Sequence, residues 1–101
     1  MFRQGDVLLI PVAAIPPKAK AVEAEGGRIV LAYGEATGHA HAIAAPGARL
    51  FSEGTNRFLE VSAGGATLAH EEHAAIPLPA GAYRVILQRE YSPEENRPVA
   101  D

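Results

Sequence analysis

Residues 28–44, Arg28-Ile29-Val30-Leu31-Ala32-Tyr33-Gly34-Glu35-Ala36-Thr37-Gly38-His39-Ala40-His41-Ala42-Ile43-Ala44, decide the fold. Arg28 to Tyr33 is a short run of branched and aliphatic side chains and reads as a strand. Gly34 to Gly38 has the composition of a turn. His39 to Ala44 then alternates with a period of two, as a second strand does, and runs into the turn signal Pro46-Gly47.

The same punctuation continues in both directions. Toward the N-terminus, Asp6 to Val12 (DVLLIPV) reads as a strand, and Pro11 within it suits a sheet edge or a bulge. Between the two lies a polar stretch, residues 16–27, expected as a mobile loop with a helical turn over Ala19 to Ala24. Toward the C-terminus, Arg49 to Ser52 and Arg57 to Val61 flank a hairpin turn at Gly54-Thr55-Asn56. Gly64-Gly65 leads into Ala66 to His70, and Pro77 to Gly81 turns into a long last strand, Ala82 to Glu90. Residues 92–101 form a charged tail expected to fray. About seven short strands with closely spaced turns predict one all-β domain over residues 1–101, a sandwich or a small barrel.

Composition agrees with this reading and removes several function classes. In 101 residues there are 10 Gly and 8 Pro, too many for a helical bundle. The apolar fraction of 48% includes 20 alanines, so the interior is thin and self-association into a homodimer would bury area that a monomer cannot. A net charge of -3 without a basic block argues against nucleic acid as a partner. Zero cysteines exclude disulfides, thiolate metal sites and a Cys nucleophile. No apolar run approaches a membrane span, and the first residues lack a signal-peptide layout, so a cytoplasmic location is the expectation.

The chemistry concentrates in the histidines. All 4 fall into two pairs, His39 with His41 and His70 with His73. On a strand, residues i and i+2 project from one face, so His39 and His41 stand side by side. His70 and His73 share a side only if the chain turns there, and the pattern Thr67-Leu68-Ala69 stops just before them, where Glu71 and Glu72 begin. Three or four imidazoles on a β framework suit Zn²⁺, Fe²⁺, Mn²⁺, Ni²⁺ or Cu²⁺. Three ligands leave a position for water or substrate; four close the site. Glu71 or Glu72 is the candidate proton acceptor beside such an ion. The competing reading gives the same histidines hydrogen bonds to Glu35, Glu71 and Glu72, or a pH-sensing role, in a non-catalytic module that binds a protein partner.

An His-x-His pair early on a strand, a later histidine, and Gly34 or Gly38 just ahead of the pair resemble the cupins over residues 34–81. That resemblance implies a barrel holding a catalytic metal through two such histidines, a Glu and a later His. The stretches RQGDVLLIPV, GEATGHAHAI, HEEH and QREYSP also look like small bacterial and phage proteins, a resemblance that implies no activity.

Other constellations are weaker. Glu71-Glu72 and Glu94-Glu95 split across the two faces of a strand, and Ser52, Ser62 and Ser92 sit in turn or edge contexts. Arg84 and Arg89 read as solvated face residues. Arg3, Gln4 and Asp6 would meet Gln88, Arg89 and Glu90 if the ends of the domain come together.

Overall fold

The computed structural model describes residues 1–34 and 38–88, so Glu35, Arg89, Glu90, Ser92, Glu94, Glu95 and the expected tail lie outside the described residues. Ten strands are present among the described residues: β1 (Phe2–Gln4), β2 (Val7–Val12), β3 (Lys20–Val22), β4 (Arg28–Tyr33), β5 (Ala40–Ala44), β6 (Ala48–Glu53), β7 (Asn56–Val61), β8 (Ala66–Ala69), β9 (Ile76–Leu78) and β10 (Gly81–Leu87). They form two antiparallel sheets, ordered β1-β2-β10-β7-β6-β3 and β4-β5-β8-β9. The all-β expectation is met. The two sheets share no strand ladder among the described residues, so the chain does not close into a barrel; it stacks one sheet on the other.

The strands form where period-two patterns let one face dry out. Val7 and Leu9, Leu59 and Val61, and Tyr83 and Val85 point inward from the larger sheet. Ile29, Leu31, Ile43 and Leu68 meet them from the smaller one. At ~25 cal/mol per Å² this shared layer is the main source of stability. Arg57 ties the sheets together at the layer's margin by donating from Nη2 to the Leu31 carbonyl at 2.6 Å. Burial there lowers the pKa of its guanidinium.

Several expectations need adjusting. Residues 20–22, anticipated in a helical turn, instead pair with β6 through Lys20↔Ser52, Ala21↔Phe51 and Val22↔Leu50. A six-residue Ala/Lys/Glu stretch cannot sustain the nucleation cost of an isolated helix, whereas one more edge strand costs only a few ordered residues. Phe2–Gln4 and Ile76–Leu78, neither read as strand, pair with β2 and β8. Pro11 does lie at an edge: β1 covers only Val7 to Leu9, so its missing N–H has no neighbour to serve on that side.

Two local features place the functional side chains. The β4–β5 register slips between Val30 and Ala32, a bulge that sets small Ala32 opposite His41. The β1–β2 connection is a two-residue hairpin loop, Gly5-Asp6, closed by the pair Gln4↔Val7. Gly5 takes φ 60° there, the left-handed conformation that primed hairpin turns require at their first loop position.

Candidate metal centre

The alternation of β5 continues back through the histidines. Ile43 is in the core, His41 lies at its margin with 3% exposure, and His39, one step before the strand, is half-buried. On the neighbouring strand, Ala42↔Ala69 and Ile43↔Leu68 are paired, so continuing the register brings His70 beside His41. Their ring centroids are 4.3 Å apart. Residues 71–73 then bend away from β8. This turns His73 back, to 4.7 Å from His70 and 5.7 Å from His41. The ring of His39 meets that of His70 edge-on at 5.7 Å.

All four sequence-predicted histidines therefore converge, but not as one set. Ligating atoms of His41, His70 and His73 lie within 4.8 Å of one another, and those of His39, His70 and Glu71 make a second such group. His39 and His41, expected to act as a pair, fall into different groups, with His70 common to both.

The two acids differ in what they do. Glu71 Oε1 accepts the Ala40 N–H at 2.9 Å. That bond, with one from its own backbone amide and the nearby His39 and His70, holds its carboxyl below the usual carboxylate range. Glu71 thus pins the 70–73 bend to the start of β5. Glu72 is exposed, with Oε2 3.8 Å from His39 Nδ1, and its backbone N–H donates to His70 Nδ1 at 3.0 Å.

The β1–β2 hairpin completes the surroundings, and the histidine pattern alone gave no reason to include it. Gln4, 3% exposed, donates from Nε2 to the carbonyls of Leu68 (3.0 Å) and Ala74 (2.9 Å), while its Oε1 is 2.9 Å from His41 Nδ1. Asp6 Oδ1 stands 3.6 Å from His41 Nε2. A β-carbon on Gly5 would lie 3.0 Å from His73 Nε2 and 3.1 Å from His41 Cε1, so this turn rests directly on the cluster. The expected meeting of the chain's two ends is real at Gln88, whose N–H donates to the Asp6 carbonyl at 2.9 Å. A Gln and an Asp flanking a Gly directly before an apolar run were the available signal, and it reads as an ordinary turn.

A family model matches residues 3–88, a span that holds Gln4, Gly5, Asp6 and every histidine. The chain belongs to the DUF8820 family, a domain of unknown function. No curated protein and no solved structure matches it. Membership in DUF8820 carries neither a cupin relationship nor an activity, so the chemistry of the domain has to be argued from the site itself.

Proposed function

We propose that this DUF8820 domain binds a divalent transition-metal ion through His41, His70 and His73, with Zn²⁺, Fe²⁺, Mn²⁺ and Ni²⁺ as the candidate ions. The observation that carries the reading is the convergence of three imidazoles, from two separate segments, to within 4.8 Å. Imidazole suits borderline divalent ions. His41 lies on the paired strand β5, and the segment that carries His70 and His73 is held by Gln4 on the Leu68 and Ala74 carbonyls and by Glu71 on the Ala40 N–H. The likeness to cupins then concerns the donor set, imidazoles and carboxylates on a β framework, and not the topology.

Three protein imidazoles leave coordination positions for water or a small-molecule substrate, where the ion acts as Lewis acid or activates bound water. A groove of about 460 Å³ on the outer face of the smaller sheet runs over Ala40, Ala42 and Ala44 and reaches His70 and Glu71, but neither His41 nor His73 lines it. Of the two candidate proton acceptors, Glu71 is the poorer base, because its carboxylate is already satisfied by backbone donors. Glu72 is the freer one. His70 sets a condition on loading: its Nδ1 accepts the Glu72 amide, so in the neutral ring Nε2 carries the proton. Ligation by His70 therefore requires that amide contact to open or the ring to turn over.

The second reading is a proton-linked hydrogen-bonding cluster in a non-catalytic module. It is favoured by the approaches of His39 to Glu72 and His41 to Asp6, at 3.8 and 3.6 Å. Elemental analysis of protein purified without a histidine tag, followed by Zn²⁺ and Ni²⁺ titration, separates the two. Stoichiometric metal lost on His41→Ala supports the first reading. Absence of any ion tighter than ~1 mM, a binding free energy of only about -4 kcal/mol, overturns it.

A further inference from the structure

We propose that His39, His70 and Glu71 form a second cation seat, open to the groove on the smaller sheet and suited to Mn²⁺ or Fe²⁺, which shares His70 with the three-imidazole site and is filled in its place. The inference goes beyond the metal-binding reading above and rests on it only for the ions left to that site.

Three local constraints bring the donors together. The Gly34 N–H donates to the His39 carbonyl at 2.8 Å, which holds His39 against the end of β4. Gly34 also leaves room for the two rings, because a β-carbon there would lie 2.9 Å from His39 Cβ and 3.3 Å from His70 Nε2. With that space open, His39 and His70 meet edge-on, their centroids 5.7 Å apart. Glu71 is placed by its Oε1, which accepts the Ala40 N–H at 2.9 Å, directly after His39. A carboxylate has about four acceptor positions on two oxygens, so this bond leaves room for an ion. Ligating atoms of the three residues lie within 4.8 Å of one another. An ion ~2.0–2.2 Å from each would draw them somewhat closer, and the exposed Glu71 side chain can follow.

Access and donor type set this seat apart from the other. His70 and Glu71 line the groove, whereas His41 and His73 do not, so an ion held by His39, His70 and Glu71 faces open volume. Arg28 also lines the groove, but it pairs with Ala44, four residues along β5 from Ala40 and so ~13 Å away. Its charge is largely screened at that range. Two imidazoles and a carboxylate with open positions suit Fe²⁺ and Mn²⁺, while three imidazoles suit Zn²⁺ and Ni²⁺. An imidazole binds metal in its neutral form, which has one acceptor nitrogen, so His70 serves one ion at a time. The seats are therefore alternatives, chosen by the ion. The condition that the Glu72 amide sets on His70 applies to both.

The test uses the full chain without a histidine tag and compares two ions. Mn²⁺ affinity is read from the electron paramagnetic resonance signal of the free ion, and Zn²⁺ affinity from competition titration. Loss of an outer partner alone costs ~10–100-fold, so His39→Ala and Glu71→Gln, which remove ligands, should each weaken Mn²⁺ at least that much and Zn²⁺ far less. His73→Ala should cost Zn²⁺ more than Mn²⁺, and His70→Ala should cost both. Bound Mn²⁺ should also enhance water-proton relaxation, since its seat faces the groove. If Mn²⁺ affinity falls as far with His73→Ala as with His39→Ala, both ions use one site; the second seat is overturned and the three-imidazole reading stands. A parent that binds Zn²⁺ but no Mn²⁺ tighter than ~1 mM has the same consequence. Mn²⁺ binding that needs His39 and Glu71, with Zn²⁺ indifferent to His41 and His73, upholds the second seat and overturns the first. Bound Mn²⁺ without relaxation enhancement overturns the opening to the groove. The Gln side chain keeps an oxygen for the Ala40 N–H, so Glu71→Gln decides the matter even if His39→Ala does not fold.

Discussion

Gly5→Ala and Gly54→Ala form a matched pair that separates the backbone requirement of a hairpin turn from contact with the histidines. Both glycines open two-residue loops, between Gln4↔Val7 and Glu53↔Asn56, at φ values of 60° and 61°. An alanine in this conformation costs ~1–2 kcal/mol at either place. In a domain of this size that is a fall in Tm of about 4–8 °C per kcal/mol. Around Gly54 a new β-carbon meets nothing within 4 Å, whereas at Gly5 it stands 3.0 Å from His73 Nε2 and 3.1 Å from His41 Cε1. Carbon contacts are comfortable at ~3.5–4.0 Å, so both contacts have to open by several tenths of an ångström. His41 is buried and held by Gln4, so the turn shifts away from it; His73 is exposed and is the ring that can move furthest. Swinging it into solvent costs little stability but spoils a ligand. The two variants should therefore melt within a few degrees of each other in chelator, while only Gly5→Ala weakens Zn²⁺ binding, on the order of 10–100-fold. Circular-dichroism melts and competition titration measure the two quantities. If Gly5→Ala binds Zn²⁺ as tightly as Gly54→Ala, the turn does not bear on the cluster and the reasoning fails.

His41→Ala should abolish tight Zn²⁺ binding, and His39→Ala should leave most of it, since only His41 shares the three-imidazole group; equal losses in the two titrations would contradict that grouping. Loading with Zn²⁺ should shift the Glu72 amide proton upfield as His70 Nδ1 is released, and an unmoved resonance with metal bound would mean that His70 is not a ligand in the way described. Glu71, held below the ordinary carboxylate range by the Ala40 N–H, contributes stability that is fully present above that range and is lost as pH falls through its folded pKa. Denaturation midpoints measured from about pH 6 downward should therefore fall more steeply for the parent than for Glu71→Gln, and parallel curves would show that the backbone contact has no energetic weight.

The parts of the fold readable in the sequence are those where a run of branched, aliphatic or aromatic side chains coincides with glycine or proline punctuation. Arg28 to Tyr33, Arg57 to Val61 and the start of the last strand satisfy both conditions, and each is a strand within a residue or two of the expected limits. The strands that escaped notice are three residues long: Phe2–Gln4, Lys20–Val22 and Ile76–Leu78. Three residues show barely one period of alternation, and each of these strands lies at the edge of its sheet; Phe2–Gln4 and Ile76–Leu78 pair with neighbouring strands, whereas Lys20–Val22 is ordered by β6, far along the chain. Lys20–Val22 is exposed throughout, so no buried face leaves a trace in its composition. Local propensity decides nothing in such a segment; the free hydrogen-bonding edge of β6 decides it.

The site divides along the same physical line. That His70 meets His41 follows from pairing between β5 and β8, which is nonlocal, but the clustering of four histidines into two pairs already pointed to it. Nothing comparable marked Gln4. A glutamine near a chain end reads as solvated, and only burial turns it into a constraint, because an amide enclosed by the Leu68 and Ala74 carbonyls has no freedom to exchange its two ends. The same enclosure makes its oxygen an acceptor, to which His41 Nδ1 donates. A donor set shows in a sequence through residue type; the state of the donors depends on partners that become visible only once the chain has folded. In this domain those partners include the first hairpin, where Gln4 meets His41 and Gly5 packs against His41 and His73, so Gly5→Ala probes the cluster from a turn whose sequence reads as an ordinary one.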